Sequence, residues 1–372
     1  MRYKNFLSLL EQYRWEKVSA KIANVKPDTL DKLLKKENFS IGDLPILLSQ
    51  TASARLPELE KKASRITTQY FGKARFLYAP LYITNRCINR CVYCGFNKNN
   101  KIERKRLSSK EISKDADYLY NQGFRHILIV SGEDPIVMKS DYLIDTIALL
   151  HKKFPSISIE VQPLTENLYR KAVAAGCDGL SLYQETYNKK VYKIVHIGGP
   201  KRDFRWRIEG PERAAKAGIK KINFGVLLGL ADFRTDIFFA ALHAAFIRKR
   251  FWKTQIGFSF PRIRPFVGSY QPTVEVKDRD LLQIILALRL VFPQAFLVLS
   301  TRERAGFRDK LLQIAATNTS AGSKTNPGGY SDDSTTGQFD ISDNRTPAEV
   351  VRAIRAAGLY PVWKDWDIGL AG

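Results

Sequence analysis

Sulfur and imidazole are scarce in this chain: 372 residues carry four cysteines, two methionines and four histidines. Four thiols are too few to staple a secreted scaffold of this length, so disulfides do not set the fold. Acidic residues are sparse beside basic ones, 37 against 60, which leaves a net charge of +23. No run of about 18 apolar residues is present, so nothing is expected to span a membrane. The opening stretch, "MRYKNFLSLLEQYRWEKVSAK", breaks its apolar positions with Glu11, Arg14 and Glu16. It reads as one amphipathic helix and not as a signal peptide, and a cytoplasmic protein is expected.

The basic excess is spread from Lys4 to Arg355, with short runs at 61–64, 101–106 and 248–250. Such charge can attract nucleic acid, anionic lipid or an acidic protein. No nucleic-acid-binding signature accompanies it, so a solvated basic face or an acidic protein partner is the expectation.

Apolar residues make up 44% of the chain, enough to bury a large core. Residues 1 to about 70 are helical in pattern, broken at Pro27, Gly42 and Pro45. Beyond them, strand-like runs at 79–85, 126–132, 157–163, 179–185, 221–229, 255–261 and 296–302 alternate with helical stretches. A weak eighth run lies around 317–323. Helices are expected over 109–123 and 277–292, and Gly123, Gly176 and Gly218 fall where C-terminal caps belong. Several runs are apolar throughout, as in parallel strands covered on both faces. Seven or eight such repeats point to an α/β fold, a (β/α) TIM-type barrel with an N-terminal helical extension. A doubly wound open sheet is the alternative. The expected division is 1–70 for the extension, 71–330 for the barrel and 331–372 for a C-terminal extension packed on it.

Chemistry in such barrels gathers where strands end. Just past the strands stand Ser131-Gly132-Glu133, Gln162, Gln184-Glu185, Gly229, Arg262 with Arg264, and Ser300 with Arg302. The first of these loops carries Cys87, Cys91 and Cys94, spaced C-x3-C-x2-C. A structural zinc site wants four ligands, usually as two C-x2-C pairs, and the second pair is missing. Cys177 stands alone and reads as a small apolar residue entering a strand; His126 and His196 would complete a zinc site only by accident of folding. An iron–sulfur cubane normally takes four thiolates, so three would leave one iron open to another ligand.

This spacing, with Tyr93 just before the third cysteine, resembles the signature of the radical S-adenosyl-L-methionine (SAM) enzymes. Further stretches, "EVQPLTENLY", "YQETY", "FSFPRIRP", "LSTRE", "SKTNPGGY" and "PVWKDWD", are similar to the 2-iminoacetate synthase family. That resemblance implies one [4Fe–4S] cluster on Cys87, Cys91 and Cys94, whose open iron binds SAM. It also implies cleavage of the Cα–Cβ bond of L-tyrosine to 2-iminoacetate and p-cresol, for thiazole formation in thiamine biosynthesis. A tryptophan lyase making methylindolic acid is the alternative, and an RNA-modifying radical enzyme a more distant one. The tyrosine lyase that matures [FeFe]-hydrogenase is related too, but no cysteine follows Cys177 to hold its second cluster.

Carried over by motif, Gly132 and Glu133 would meet the SAM amino group and Arg207 its carboxylate. Gln184 and Glu185 would reach the ribose or methionine part, and Gly229 would pass the adenine. Arg302, assisted by Ser300, would clamp the substrate carboxylate, while Arg262 and Arg264 either line the same mouth or pair with carboxylates. The implied partners are thiazole synthase and a flavodoxin- or ferredoxin-type electron donor. His151 and His243 read as structural. The turn cluster at 326–333 would cap the site or form a surface loop, and the tail with Trp363 and Trp366 would pack on the barrel.

Overall fold

The computed structural model describes residues 3–136, 141–332 and 335–363. Its centre is a ring of eight parallel strands: β1 (Ala74–Thr84), β2 (His126–Ser131), β3 (Ser156–Glu160), β4 (Gly179–Ser181), β5 (Lys221–Gly225), β6 (Gln255–Ser259), β7 (Phe296–Leu299) and β8 (Asn318–Ser320). Each strand pairs with the next, and β1 pairs with both β2 and β8, which closes the barrel and rules out an open sheet. Every expected strand is present, the weak eighth included. The runs were legible because helices cover them outside and side chains fill them inside, so β1 is buried along nearly its whole length.

Helices Ser109–Asn121 and Asp278–Val291 stand where periodicity placed them. Gly123, Gly176 and Gly218 take φ of 99°, 110° and 98° just past helix ends, a left-handed backbone that favours glycine. The Asp278–Val291 helix is buried almost throughout because the Leu56–Phe71 helix packs against it.

The N-terminal stretch departs from expectation. In place of one amphipathic helix there are two, Phe6–Leu10 and Trp15–Ala23. Each is anchored separately on the Phe233–Arg250 helix: Phe6 stacks on His243 at 3.8 Å and Trp15 on Phe239 at 5.6 Å. A capping box between Asn5 and Ser8 starts the first helix.

A further strand, β9 (Tyr360–Val362), was not anticipated and pairs in parallel with the first residues of β1. It seats Trp363 edge-on against Phe124, 5.1 Å between ring centres, so this part of the tail packs on the barrel as expected. Trp366 lies outside the described residues. Before β9, the chain is tied down by a buried ion pair between Arg308 and Asp343, each 1% exposed. The Arg308 guanidinium also donates to Thr319 Oγ1 and to the Ser320 carbonyl of β8, and Arg345 pairs with Asp343 at 2.7 Å.

Removing one member of such a pair strands the other charge away from water. Asp343→Ala is expected to lower unfolding free energy by about 3–5 kcal/mol in denaturant titration. Tyr360→Ala, at an exposed position, should change it by less than about 0.5 kcal/mol.

Candidate active site

The loop after β1 is held from three sides by backbone hydrogen bonds. Arg90 and Val92 donate their amides to the carbonyls of Gly198 (2.9 Å) and Val195 (3.0 Å), forming a short antiparallel seam that bridges Cys91 and His196. Ile88 donates to the Glu133 carbonyl at 3.1 Å, and Gly132 to the Thr84 carbonyl at 3.0 Å. On the far side Arg104 donates to the carbonyls of Asn85, Phe96, Asn97 and Asn100. Its run of basic residues is therefore in part an internal brace. Gly132 is required by contact: a Cβ there would sit 2.3 Å from the Arg86 carbonyl oxygen.

This bracing directs Cys87, Cys91 and Cys94 into one cavity. Burial raises the thiol of Cys87, and raises Cys91 to about 12 although Lys201 opposes it. Such thiols ionise only beside a strong cationic centre. Two amides are aimed at the sulfurs: Asn89 Nδ2 lies 3.8 Å from Cys87 Sγ and Gln338 Nε2 lies 3.6 Å from Cys94 Sγ. Among the described residues, no three His, Cys, Asp or Glu side chains converge closely enough for a single metal ion. His196 has no nitrogen to spare for zinc: Nδ1 donates to the Tyr192 carbonyl at 2.8 Å and Nε2 accepts from Tyr93 Oη at 2.7 Å. His126 lies elsewhere, 3.1 Å from Ser158 Oγ. Cys177 is buried in the core and donates to the Gly179 carbonyl at 3.4 Å, as its apolar reading required. The donor set fits a three-thiolate cluster and not zinc.

The cavity holds about 1000 Å³, counting open solvent at its mouth. Tyr93, Gly132, Glu133, Glu185, Arg207 and Arg302 line it beside the three cysteines. Arg207 is not on the surface: it is buried, its Nε donates to the Tyr183 carbonyl at 2.7 Å, and Nη2 lies 3.6 Å from Glu185 Oε1. Glu185 also pairs with Lys201 at 2.7 Å. Burial and Arg207 work against the Lys201 charge, yet Glu185 and Cys91 outweigh them and the net shift is upward. Glu185 has φ of 70°, a left-handed backbone that only glycines share with it among the described residues. Orphaned polar atoms also line the space: Ser131 Oγ and both amide atoms of Gln162 are buried without a partner. A polar, mixed-charge ligand suits this wall.

Gln184 and Gly229 are not among the lining residues. Gln184 and Glu185 both lie past the end of β4 at Ser181; Glu185, on its left-handed backbone, lines the cavity, while Gln184 is buried with its Nε2 unpartnered. Gly229 (φ 115°) serves a turn, since a Cβ there would meet Pro272, Ile263 and Val274. Ser300 lines an adjoining annex that shares Glu160, Tyr183, Arg302 and Phe339 with the main cavity. The turn cluster packs its Tyr330 Oη on the Pro80 carbonyl at 2.7 Å and does not cap the cavity; its last residue, Asp333, lies outside the described residues. His151 packs against Gly176 and His243 against Phe6, both away from the cavity.

Arg302 reaches the boundary between cavity and annex. Among the described residues it has no ion-pair partner; its guanidinium lies 3.3 Å over the Phe339 ring, and burial lowers its proton affinity. Arg262 does pair with carboxylates, Glu303 and Asp278, while Arg264 lines the cavity and lies 3.3 Å from Glu303. Glu160, at the end of β3, faces the same space. Burial raises its carboxyl to about 7, against the pull of Arg302. Lys201, Gln338 and Phe339 belong to the site but stand outside every motif read from the sequence, whereas Asn89, between Cys87 and Cys91, and Glu160, at the head of "EVQPLTENLY", lie inside motifs in which other residues drew notice.

Residues 81–236 match the Radical SAM superfamily, and residues 259–360 match the Biotin and Thiamin Synthesis associated domain. The chain is 40% identical to the 2-iminoacetate synthase of Salmonella typhimurium over 98% of its own length and 97% of that protein. The Escherichia coli 2-iminoacetate synthase matches to the same extent. The fold is similar to that of the FeFe-hydrogenase maturase HydG from Carboxydothermus hydrogenoformans, with a TM-score of 0.88, 29% identity, and coverage of 96% of this chain and 84% of that one.

Glu160 yields a pH test. Its folded value is about 7 against an ordinary 4.5, so its contribution to stability is fully present below about 4.5 and lost as pH rises through about 7. Glu160→Gln is expected to melt at a higher temperature than the parent at pH 8, with the difference shrinking toward pH 5.

Proposed function

This chain belongs to the 2-iminoacetate synthase family of radical SAM enzymes, and from that membership we infer that it cleaves the Cα–Cβ bond of L-tyrosine to 2-iminoacetate and p-cresol. The observation that carries the reading is one cavity faced by three thiols with no fourth, and, at its inner end, by an arginine without an ion-pair partner among the described residues. Cys87, Cys91 and Cys94 would hold a [4Fe–4S] cluster with one iron left for the amino-acid end of SAM. Together the bound cluster and SAM supply reductive cleavage of the sulfonium and a 5′-deoxyadenosyl radical.

The protein's part is to bind, orient and shield. Glu133 offers a carboxylate to the SAM amino group, and its partner Asn89 fixes it beside the cysteine loop. Arg207 and Lys201 offer cations to the SAM carboxylate. Arg302 clamps the tyrosine carboxylate with two parallel hydrogen bonds, a geometry that lysine lacks. Glu160, close by and of opposite sign, takes a proton from the substrate ammonium at its carboxylate oxygen. The amino nitrogen, which loses the hydrogen, is then neutral and held within reach of the radical. The phenol ring faces the annex, where Tyr82, Leu128 and Phe260 supply an apolar wall. Ser323 Oγ there is buried without a partner and open to the phenol hydroxyl.

The same reading assigns residues 71–330 to the catalytic barrel, 1–70 to a helical extension and 331–372 to a C-terminal extension. It makes thiazole synthase the acceptor of the imine and a flavodoxin- or ferredoxin-type protein the electron donor. Among the described residues no helix is long and apolar enough to cross a membrane, which accords with a cytoplasmic location.

Anaerobically reconstituted protein given dithionite, SAM and tyrosine should form p-cresol, and tryptophan should yield no indole acid. Ala at Cys87, Cys91 or Cys94 should abolish SAM cleavage, whereas Cys177→Ala should preserve it; equal loss in all four would sink the assignment. Arg302→Ala loses two charge-assisted hydrogen bonds, each worth about 1.5–3 kcal/mol, so p-cresol output should fall at least about 100-fold while slow SAM cleavage persists.

A further inference from the structure

The segment after β8 touches the cysteine loop and the substrate arginine with adjacent residues. It is pinned by Gln338 N to the Thr325 carbonyl (2.9 Å), Thr325 Oγ1 to the Phe339 carbonyl (3.1 Å), Asp340 N to the Pro265 carbonyl (2.9 Å) and Ser342 N to the Thr301 carbonyl (2.8 Å). These partners follow β8, β6 and β7, so the segment straps three loops of the barrel mouth together. On its inner side the Gly95 amide donates to the Gln338 carbonyl at 3.3 Å. The approach is so close that a Cβ on Gly95 would lie 2.4 Å from that oxygen.

The Gln338 side chain is oriented and not merely nearby. Tyr82 Oη donates to its Oε1 at 2.9 Å, which turns Nε2 toward Cys94 Sγ at 3.6 Å. A donor on a cluster thiolate favours the more negative, reduced state and raises the reduction potential. The next residue, Phe339, carries the Arg302 guanidinium 3.3 Å over its ring. That contact draws on the cation's charge, and a carboxylate arriving at Arg302 competes for the same charge.

We propose that Gln338 and Phe339 act as a coupling strap: Gln338 sets the reduction potential of the cluster through Cys94, and Phe339 makes that setting respond to what Arg302 holds. Gln338 and Phe339 are positioning residues, and the inference rests on the reading of Arg302 as the substrate clamp. A donor of this kind lets the cluster accept its electron more readily when tyrosine is in place, so that the radical is made where it can be used.

The test is an EPR-monitored redox titration of the reconstituted holoenzyme with dithionite and mediators, with and without tyrosine. In Gln338→Leu the ratio of reduced to oxidised cluster at a fixed potential should fall about tenfold, equivalent to about 59 mV for one electron. Tyr82→Phe, which frees the amide to turn away, should shift it in the same direction by less. Phe339→Leu should keep the parental midpoint without tyrosine but lose the shift that tyrosine causes. Parental midpoints in both Gln338→Leu and Tyr82→Phe would overturn the tuning; should Gln338→Leu fail to hold a cluster, Tyr82→Phe decides alone. A tyrosine shift absent from the parent, or intact in Phe339→Leu, would overturn the coupling. Equilibrium dialysis with labelled tyrosine separates the two layers, because ordinary binding by Arg302→Ala removes the clamp itself whatever the potentials show.

Discussion

The antiparallel seam between residues 90–92 and 195–198 is the constraint on which the site depends. A loop with three thiols facing one space has no helix or strand of its own to hold it. Its amides must therefore be satisfied by another segment, and the seam does this while placing His196 directly against Cys91. His196 then spends both nitrogens on Tyr192 and Tyr93, and burial lowers its proton affinity to about 2, so it stays neutral beside the cationic Lys201. A protonated imidazole at that position would repel Lys201 and Arg207.

Charge inside the cavity is organised in alternation. Glu133, Lys201, Glu185 and Arg207 neutralise one another along one wall, while Arg302 and Glu160 face each other across the inner end without forming a contact pair. Buried ions left at arm's length from each other cost desolvation without full Coulombic return. A zwitterion between them would complete both interactions, which is the physical sense in which the cavity is built for amino-acid ends. The +23 net charge of the whole chain plays no visible part in this arrangement.

What could be read in advance follows from how local each signal is. Barrel strands announce themselves in a few consecutive apolar residues, so even the short β8 was visible, whereas β9, three residues with an exposed Tyr360, carried no such run. Cluster ligands must share one short loop, and their spacing survives in sequence. Lys201 and Gln338 reach the cysteine loop only after folding, from more than a hundred residues away, and nothing local marks them, whereas Glu160 opens the stretch "EVQPLTENLY" and only folding shows which way it faces. Gln184 and Gly229 stand outside the cavity lining for reasons of finer geometry: Gln184 precedes a residue with a left-handed backbone, past the end of β4, and Gly229 sits in a turn. The single amphipathic helix at the N-terminus failed for a third reason, because two aromatic anchors on one partner helix divided it.

Glu185 carries its carboxylate on a backbone with φ of 70°, a conformation glycine adopts freely and glutamate at a cost of order 1–3 kcal/mol. Glycine would relax that backbone but leave Lys201 and Arg207 buried without the anion they share, and stranding them costs more, about 3–5 kcal/mol, than the relief returns. At this one residue, backbone ease and charge balance select for different amino acids, and the two cations decide the outcome.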